Sequence, residues 1–258
     1  MLMTVPQVLA VWVGRDAGGV SLGYQSPETL IEEAQKSVSL GYKAIKLRVG
    51  DEPARDIERL RAVRKAFGDD LVILSDANIG CSLEDVRRLM PVLDELRIGW
   101  LEEPFPAHDF RNYREAKGLG RTPLAAGENH YTRFEFSRLI EDGAVTILQP
   151  DLSKSGGITE ALRIAALASA HALPIHPHSS MTGLNHAATI HFLAAIDNGG
   201  YFEGDVSRSN KFRDELVANP GAIDRDGNVW PSEAPGLGLE VNEDFLRKHP
   251  PIEGPGYV

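Results

Sequence analysis

The chain has 258 residues, 42% of them hydrophobic, enough to bury a substantial core and close to the roughly 250 residues of a (β/α)8 barrel. A net charge of −10 disfavours nucleic acid or an anionic membrane surface as a partner. No apolar run approaches the roughly 20 residues of a membrane span, and a single cysteine, Cys81, rules out an intramolecular disulfide and fits a reducing, cytoplasmic setting.

Residues 5–13 are rich in β-formers and read as a first barrel strand; no positive n-region or small-residue cleavage site marks a signal peptide. Ser26-Pro27-Glu28 opens a helix with serine at the N-cap and proline at N1, and Gly41 stops it. Residues 44–49 form the second strand, followed by a charged amphipathic helix over 53–67. The third strand covers 71–75, and Ser82-Leu83-Glu84-Asp85 starts a helix running to residue 96. Residues 99–101, 124–126, 145–148 and 174–175 supply further strands, separated by helices over 109–117, 133–141 and 158–170. A helix over 184–196 then leads to Tyr201-Phe202-Glu203, the eighth strand.

This alternation predicts an α/β fold, a TIM-type (β/α)8 or (β/α)7β barrel over residues 1–206. An open doubly wound sheet is the competitor, weakened because no glycine-rich dinucleotide fingerprint follows the first strand. From residue 207 to 258 the periodic pattern gives way to proline, glycine and charge, which predicts an irregular C-terminal tail packed on the barrel or on a neighbour.

Asp76, Glu102 and Glu128 each close a short apolar run, at equal intervals of 26 residues. A strand, a helix and two loops take about that length. Three carboxylates at one end of consecutive parallel strands repel unless something positive lies between them, and an all-oxygen set suits a hard cation such as Mg²⁺. The strand ends together carry Lys46, Asp76, Glu102, Glu128, Asp151, His178 and Glu203. One acid after a strand is often only a helix N-cap. A whole series in register points to a site, because parallel barrels gather reacting groups at that rim.

In Lys46-Leu47-Arg48, Asp76-Ala77-Asn78, Trp100-Leu101-Glu102-Glu103-Pro104, Gly127-Glu128-Asn129, Gln149-Pro150-Asp151, Gly156-Gly157-Ile158-Thr159, His178 and Phe202-Glu203, the chain resembles the barrel domain of the enolase superfamily, in its mandelate racemase-like subgroup. The resemblance spans residues 5–205. It implies that Asp76, Glu102 and Glu128 hold Mg²⁺ and that Asp151 and His178 form a catalytic dyad assisted by Lys46. It also makes Arg48, Asn78, Asn129 and Glu203 substrate-binding candidates. Those roles make chemical sense: a proton beside a carboxylate is hardly acidic, and a divalent ion with Lys46 can offset the charge that its removal builds.

One departure narrows the reaction. The subgroup often carries Lys-x-Lys where this chain has Lys46-Leu47-Arg48, and a guanidinium is a poor proton acceptor. A single competent base, His178, favours syn elimination of water from a small sugar acid over racemisation. The run Gly127-Glu128-Asn129-His130-Tyr131-Thr132-Arg133-Phe134 also resembles acid-sugar dehydratases. A racemase or epimerase, and an idle barrel that only binds metal, are the alternatives.

His176 shares a strand face with His178 and could also look inward; the spacing after Pro174 matches the family histidine to His178. Glu103 is expected on the opposite face from Glu102. Lys154, one turn beyond Asp151, either tunes that residue or is solvated. Full-length relatives resemble a two-domain design whose N-terminal cap is absent from this chain, either because the chain is a piece of a longer protein or because the cap is a separate chain. The resemblance makes a homo-oligomer a candidate assembly, which the residues themselves leave open.

Overall fold

The computed structural model describes residues 24–180, 182–206, 210–218, 223–224 and 226–250, with the backbone of 8–13. Strands and helices alternate in the order β1 (Val8–Val13), α1 (Pro27–Ser39), β2 (Ala44–Arg48), α2 (Pro53–Phe67), β3 (Val72–Asp76), α3 (Leu83–Glu95), β4 (Leu101–Glu102), α4 (Phe110–Lys117), β5 (Leu124–Ala126), α5 (Thr132–Asp142), β6 (Ile147–Leu148), α6 (Gly157–Ala170), α7 (Gly183–Ala195) and β7 (Phe202–Gly204). The starts of the early helices follow the sequence signals. Ser26 caps α1 by accepting from Thr29 N, and Ser82 and Asp85 form a reciprocal capping box on α3.

Every strand pair is parallel, in the order β6-β5-β4-β3-β2-β1-β7. The expected seventh strand shrinks to Ile175, which bridges Leu148 on one side and Gly199 on the other and so closes the barrel. Two consecutive residues after a proline leave room for little more than one bridge. Asn198 secures this seam: its side-chain amide donates to the carbonyls of Ala165 and Leu173 at 3.2 and 2.9 Å.

Strand alternation sorts the apolar residues into two cores. Ile45, Leu47, Ile73, Leu101, Leu124, Ala126, Leu148 and Phe202 face outward and join the helices in one large cluster. Ala44, Leu74, Trp100, Ala125 and Ile147 form a separate plug inside the barrel, with Tyr201 against it. Two positions further along β2 and β3, and on β4, the inward side chains become charged. Arg48, Asp76 and Glu102 are register partners in one row at the C-terminal rim.

The tail is more ordered than its composition suggests. It forms α8 (Lys211–Asp214) and α9 (Glu243–Lys248), joined by an antiparallel bridge between Val217 and Val241. Leu216, Val217 and Phe245 make a small cluster of their own, and Val229 joins the main core, so this segment packs on the barrel. Among the described residues no helix is long and apolar enough to cross a membrane.

Candidate active site

Lys46 lies at the centre of the charged layer, only 1% exposed. Its ammonium donates to both oxygens of Glu102 at 2.8 and 2.9 Å, sits 2.8 Å from Glu203 Oε1 and lies 3.7 Å from Asp76 Oδ2. Burial alone would lower its affinity for the proton, but Glu102, Glu203 and Asp76 hold it charged well above the ordinary lysine range. Trp100 Nε1 and Gln149 Nε2 donate to Glu102 Oε2 at 3.1 and 2.6 Å. Gln149 was not among the sequence candidates. Its place two residues before Asp151, on the same strand face, was the available signal.

His178 lies on the opposite side of Glu128. Its Nδ1 donates to Asp151 Oδ2 at 2.6 Å, and its Nε2 meets Glu128 Oε2 at 2.6 Å and Ser180 Oγ at 3.1 Å. Both ring nitrogens therefore face carboxylate oxygens, which can only accept. Although burial opposes the charge, Glu128, Glu203 and Asp151 raise the imidazole well above its ordinary range. Burial would likewise raise Glu128 and Asp151, yet His178 pulls both below the usual carboxylate range, helped at Glu128 by Lys154.

The other candidates surround this pair. Asn78 Nδ2 donates to Glu128 Oε1 at 3.4 Å. Asn129 Nδ2 donates to the same oxygen at 3.3 Å and to Glu103 Oε2 at 2.6 Å. Arg48 approaches Asp76 Oδ1 at 3.9 Å, and Ser179 N donates to Glu203 Oε2 at 3.2 Å. His176 does not share the place of His178. It is wedged between Trp100 and Tyr201, accepts from Tyr201 N at 2.8 Å, and is pushed down to about 4 by burial, which makes it a neutral packing group.

Glu103 departs from expectation. The strand ends at Glu102, and Glu103 turns with a φ of 35°, so the two-residue alternation stops applying and its side chain joins Asn129 and Glu128 inside the site. Burial, then Glu128, pushes its carboxyl up to about 7.

The three expected metal ligands reach one rim, but Lys46 lies against Asp76 and Glu102, and His178 against Glu128. Among the described residues no three such side chains stand close enough to ligate an ion as they are arranged. The donor set nevertheless fits a hard dication. Asp76 Oδ2 and Glu103 Oε1 are buried and have no hydrogen-bond partner among the described residues. Burial and Glu102 push Asp76 up to about 8, the mark of a carboxylate short of positive charge. With Asp76, Glu102, Glu103, Glu128, Asp151 and Glu203 all ionised against Lys46, Arg48, Lys154 and His178, the layer would be two charges too negative; Asp76 and Glu103 are pushed up toward their protonated forms in the absence of a further cation, and a dication would offset the excess.

A family model described as "Enolase C-terminal domain-like" matches residues 29–245. The chain is 32% identical to an arabinonate dehydratase of Saccharolobus solfataricus over 90% of its own length and 62% of the relative's. It is 33% identical to a D-galactonate dehydratase of Verminephrobacter eiseniae over 91% of its length and 63% of the relative's. It therefore spans less than two thirds of these curated relatives. A solved enolase superfamily member from Polaromonas sp. JS666 superposes with a TM-score of 0.89 at 55% identity, covering 100% of this chain and 67% of that one. A racemase from Streptomyces coelicolor, solved with bound magnesium, superposes at 0.81 with 27% identity, over 95% of this chain and 63% of that one. The closed parallel barrel and its rim of charged strand ends thus have a family, and the chain belongs to it: the C-terminal barrel domains of the enolase superfamily.

Proposed function

We propose that this barrel dehydrates a small sugar acid, an aldonate or aldarate, by removing the proton beside the carboxylate and expelling the neighbouring hydroxyl. The observation that carries the reading is the single proton-handling group. His178 is held by Asp151 through Nδ1, so Nε2 is the nitrogen turned to the site. The strand-two position where a second base could stand is Arg48, a permanent cation. One base on one face suits an elimination in which the same imidazole, starting in its neutral form with Nε2 free of its proton, would take the α-proton and return it to the departing hydroxyl.

Asp76 and Glu128, with Glu102 or Glu103, are the residues that would hold Mg²⁺. When bound there, the ion supplies Lewis-acid stabilisation of the charge that develops on the substrate carboxylate. Lys46 adds fixed positive charge from below. Asn78 and Asn129 beside Glu128, Arg48 beside Asp76 and Glu203 beside Lys46 are the groups that would orient the substrate's hydroxyls. The names of the dehydratase relatives support this reading. Chain regions beyond this barrel in the relatives' length, a capping domain and a second copy of the chain complete the proposed working assembly.

A screen of aldonic and aldaric acids with Mg²⁺ tests it, scoring 2-keto-3-deoxy acid. Product lost in both His178→Asn and Glu128→Gln supports the assignment. Solvent deuterium entering recovered substrate without keto acid would instead show a racemase or epimerase.

A further inference from the structure

Lys154 has no part in the chemistry above, yet its position is tightly fixed. Asp151 Oδ1 accepts from Ser153 N at 2.7 Å and from Ser153 Oγ at 2.5 Å. The Asp151 carbonyl accepts from Lys154 N at 3.1 Å and from Ser155 N at 2.7 Å. The residue that orients His178 therefore also sets the turn from which Lys154 projects.

From that turn the Lys154 ammonium lies 3.6 Å from Glu128 Oε2, the oxygen that His178 Nε2 also meets. That separation is an ion pair too long for a hydrogen bond, so the contact leaves the ammonium's donors available. Its side chain is 23% exposed, at the open rim, whereas Lys46 is 1% exposed and saturated by Glu102 and Glu203.

We propose that Lys154 is a substrate-contacting residue that binds an anionic oxygen of a carboxylate ligand beside His178. This rests on the metal reading of Glu128. A dication on Glu128 repels an ammonium that competes for the same oxygen. The lysine's flexible four-carbon stem then carries its charge to the nearest other anion, the ligand's carboxylate. Lys154 thus adds positive charge where proton removal builds negative charge, in addition to that of Lys46.

The test uses Mn²⁺ alone and then oxalate, a planar dianion resembling the deprotonated substrate, with affinities read by calorimetry on the wild type, Lys154→Met and Lys154→Arg. The expected result has opposite signs. Lys154→Met binds Mn²⁺ equally or up to about tenfold more tightly, because a competing cation is gone. It binds oxalate to the Mn²⁺-loaded protein at least about tenfold more weakly, the loss of about one charge-assisted hydrogen bond. Lys154→Arg keeps most of the oxalate affinity. Loss of a merely structural group would weaken both ligands together, and that result overturns the proposal, as does unchanged oxalate affinity in Lys154→Met. If the wild type binds neither probe, the metal reading fails and takes this proposal with it. Because oxalate is not turned over, its affinity reports on Lys154 even in a protein that dehydrates no sugar acid.

Discussion

Replacing Lys46 by Met should show how much of the barrel's stability hangs on one buried charge. The substitution keeps an unbranched side chain, shorter by its charged end, and leaves Glu102 and Glu203, at 1% and 5% side-chain exposure, without their shared ammonium. The least costly escape is for one of them to take up a proton. For a carboxyl of ordinary value 4.5, holding that proton at pH 7 costs at most about 3.4 kcal/mol at 1.36 kcal/mol per unit, and at most about 1.4 kcal/mol at pH 5.5, a ceiling because burial already raises Glu102 with Lys46 in place. The first figure falls within the 3–5 kcal/mol typical of breaking a buried pair.

The sign follows from linkage: the variant's carboxyl titrates higher folded than unfolded, so the loss is small near the unfolded value and grows as pH rises. Urea unfolding of the metal-free protein, followed by circular dichroism and tryptophan emission, reads both pH values. Adding Glu102→Gln to Lys46→Met should recover at least about 1 kcal/mol at pH 7, since the two groups are coupled. A loss below about 1 kcal/mol, as for an exposed pair, or one equal at both pH values, would refute the reasoning.

Glu103→Gln should act in the opposite direction. Its carboxyl is pushed up to about 7, so the folded chain holds a proton that the unfolded chain has lost, and stability falls as pH rises from about 4.5 to 7. The substitution is expected to stabilise the metal-free protein by about 1–3 kcal/mol at pH 8 and hardly at all at pH 5; equal gains at both would count against it. Asp151→Asn should slow keto-acid formation by about 10²–10⁴-fold while leaving the circular dichroism spectrum unchanged, and near-normal turnover would remove Asp151 from the dyad. Gly127→Ala places a Cβ 2.5 Å from the Gln149 carbonyl carbon. It should cost about 2–3 kcal/mol and weaken Mn²⁺ binding through the adjacent Glu128, and a variant as stable as wild type would show that the β5–β6 contact can relax.

The sequence made the barrel legible wherever a strand was long enough to alternate. Apolar runs ending in Asp76, Glu102 and Glu128 marked β3, β4 and β5, because inward positions above the apolar plug must be polar at the rim. The seventh strand escaped that logic, since a one-residue bridge has no period. Glu103 escaped it for a related reason: a positive φ directly after a strand cancels the alternation, and no residue type there announces the turn. Of the site, the identity of the rim residues was readable, but their pairing was not. Whether Glu128 faces a cation, His178 or Lys154 depends on distances between β5, the turn after β6 and the segment after Ile175, which no local pattern encodes. The tail's order was hidden because its packing residues are isolated, Val229 between Gly227 and Pro231 and Phe245 in a short charged run.

The seam at Ile175 ties the proposed catalysis to completed folding. The Lys46–Glu203 pair joins β2 to β7, whose position depends on pairing with β1 at the other end of the barrel sequence. His178 follows directly on the single bridge that closes the ring. A chain emerging from the ribosome therefore holds Lys46, Asp76, Glu102 and Glu128 early but lacks the proposed base His178 and the Lys46 partner Glu203 until its last segments dock. Loop closure of that span is slow compared with local helix formation. Appearance of turnover during refolding should then lag behind recovery of helical signal and coincide with ring closure, which makes the reaction itself a clock for the final step of folding.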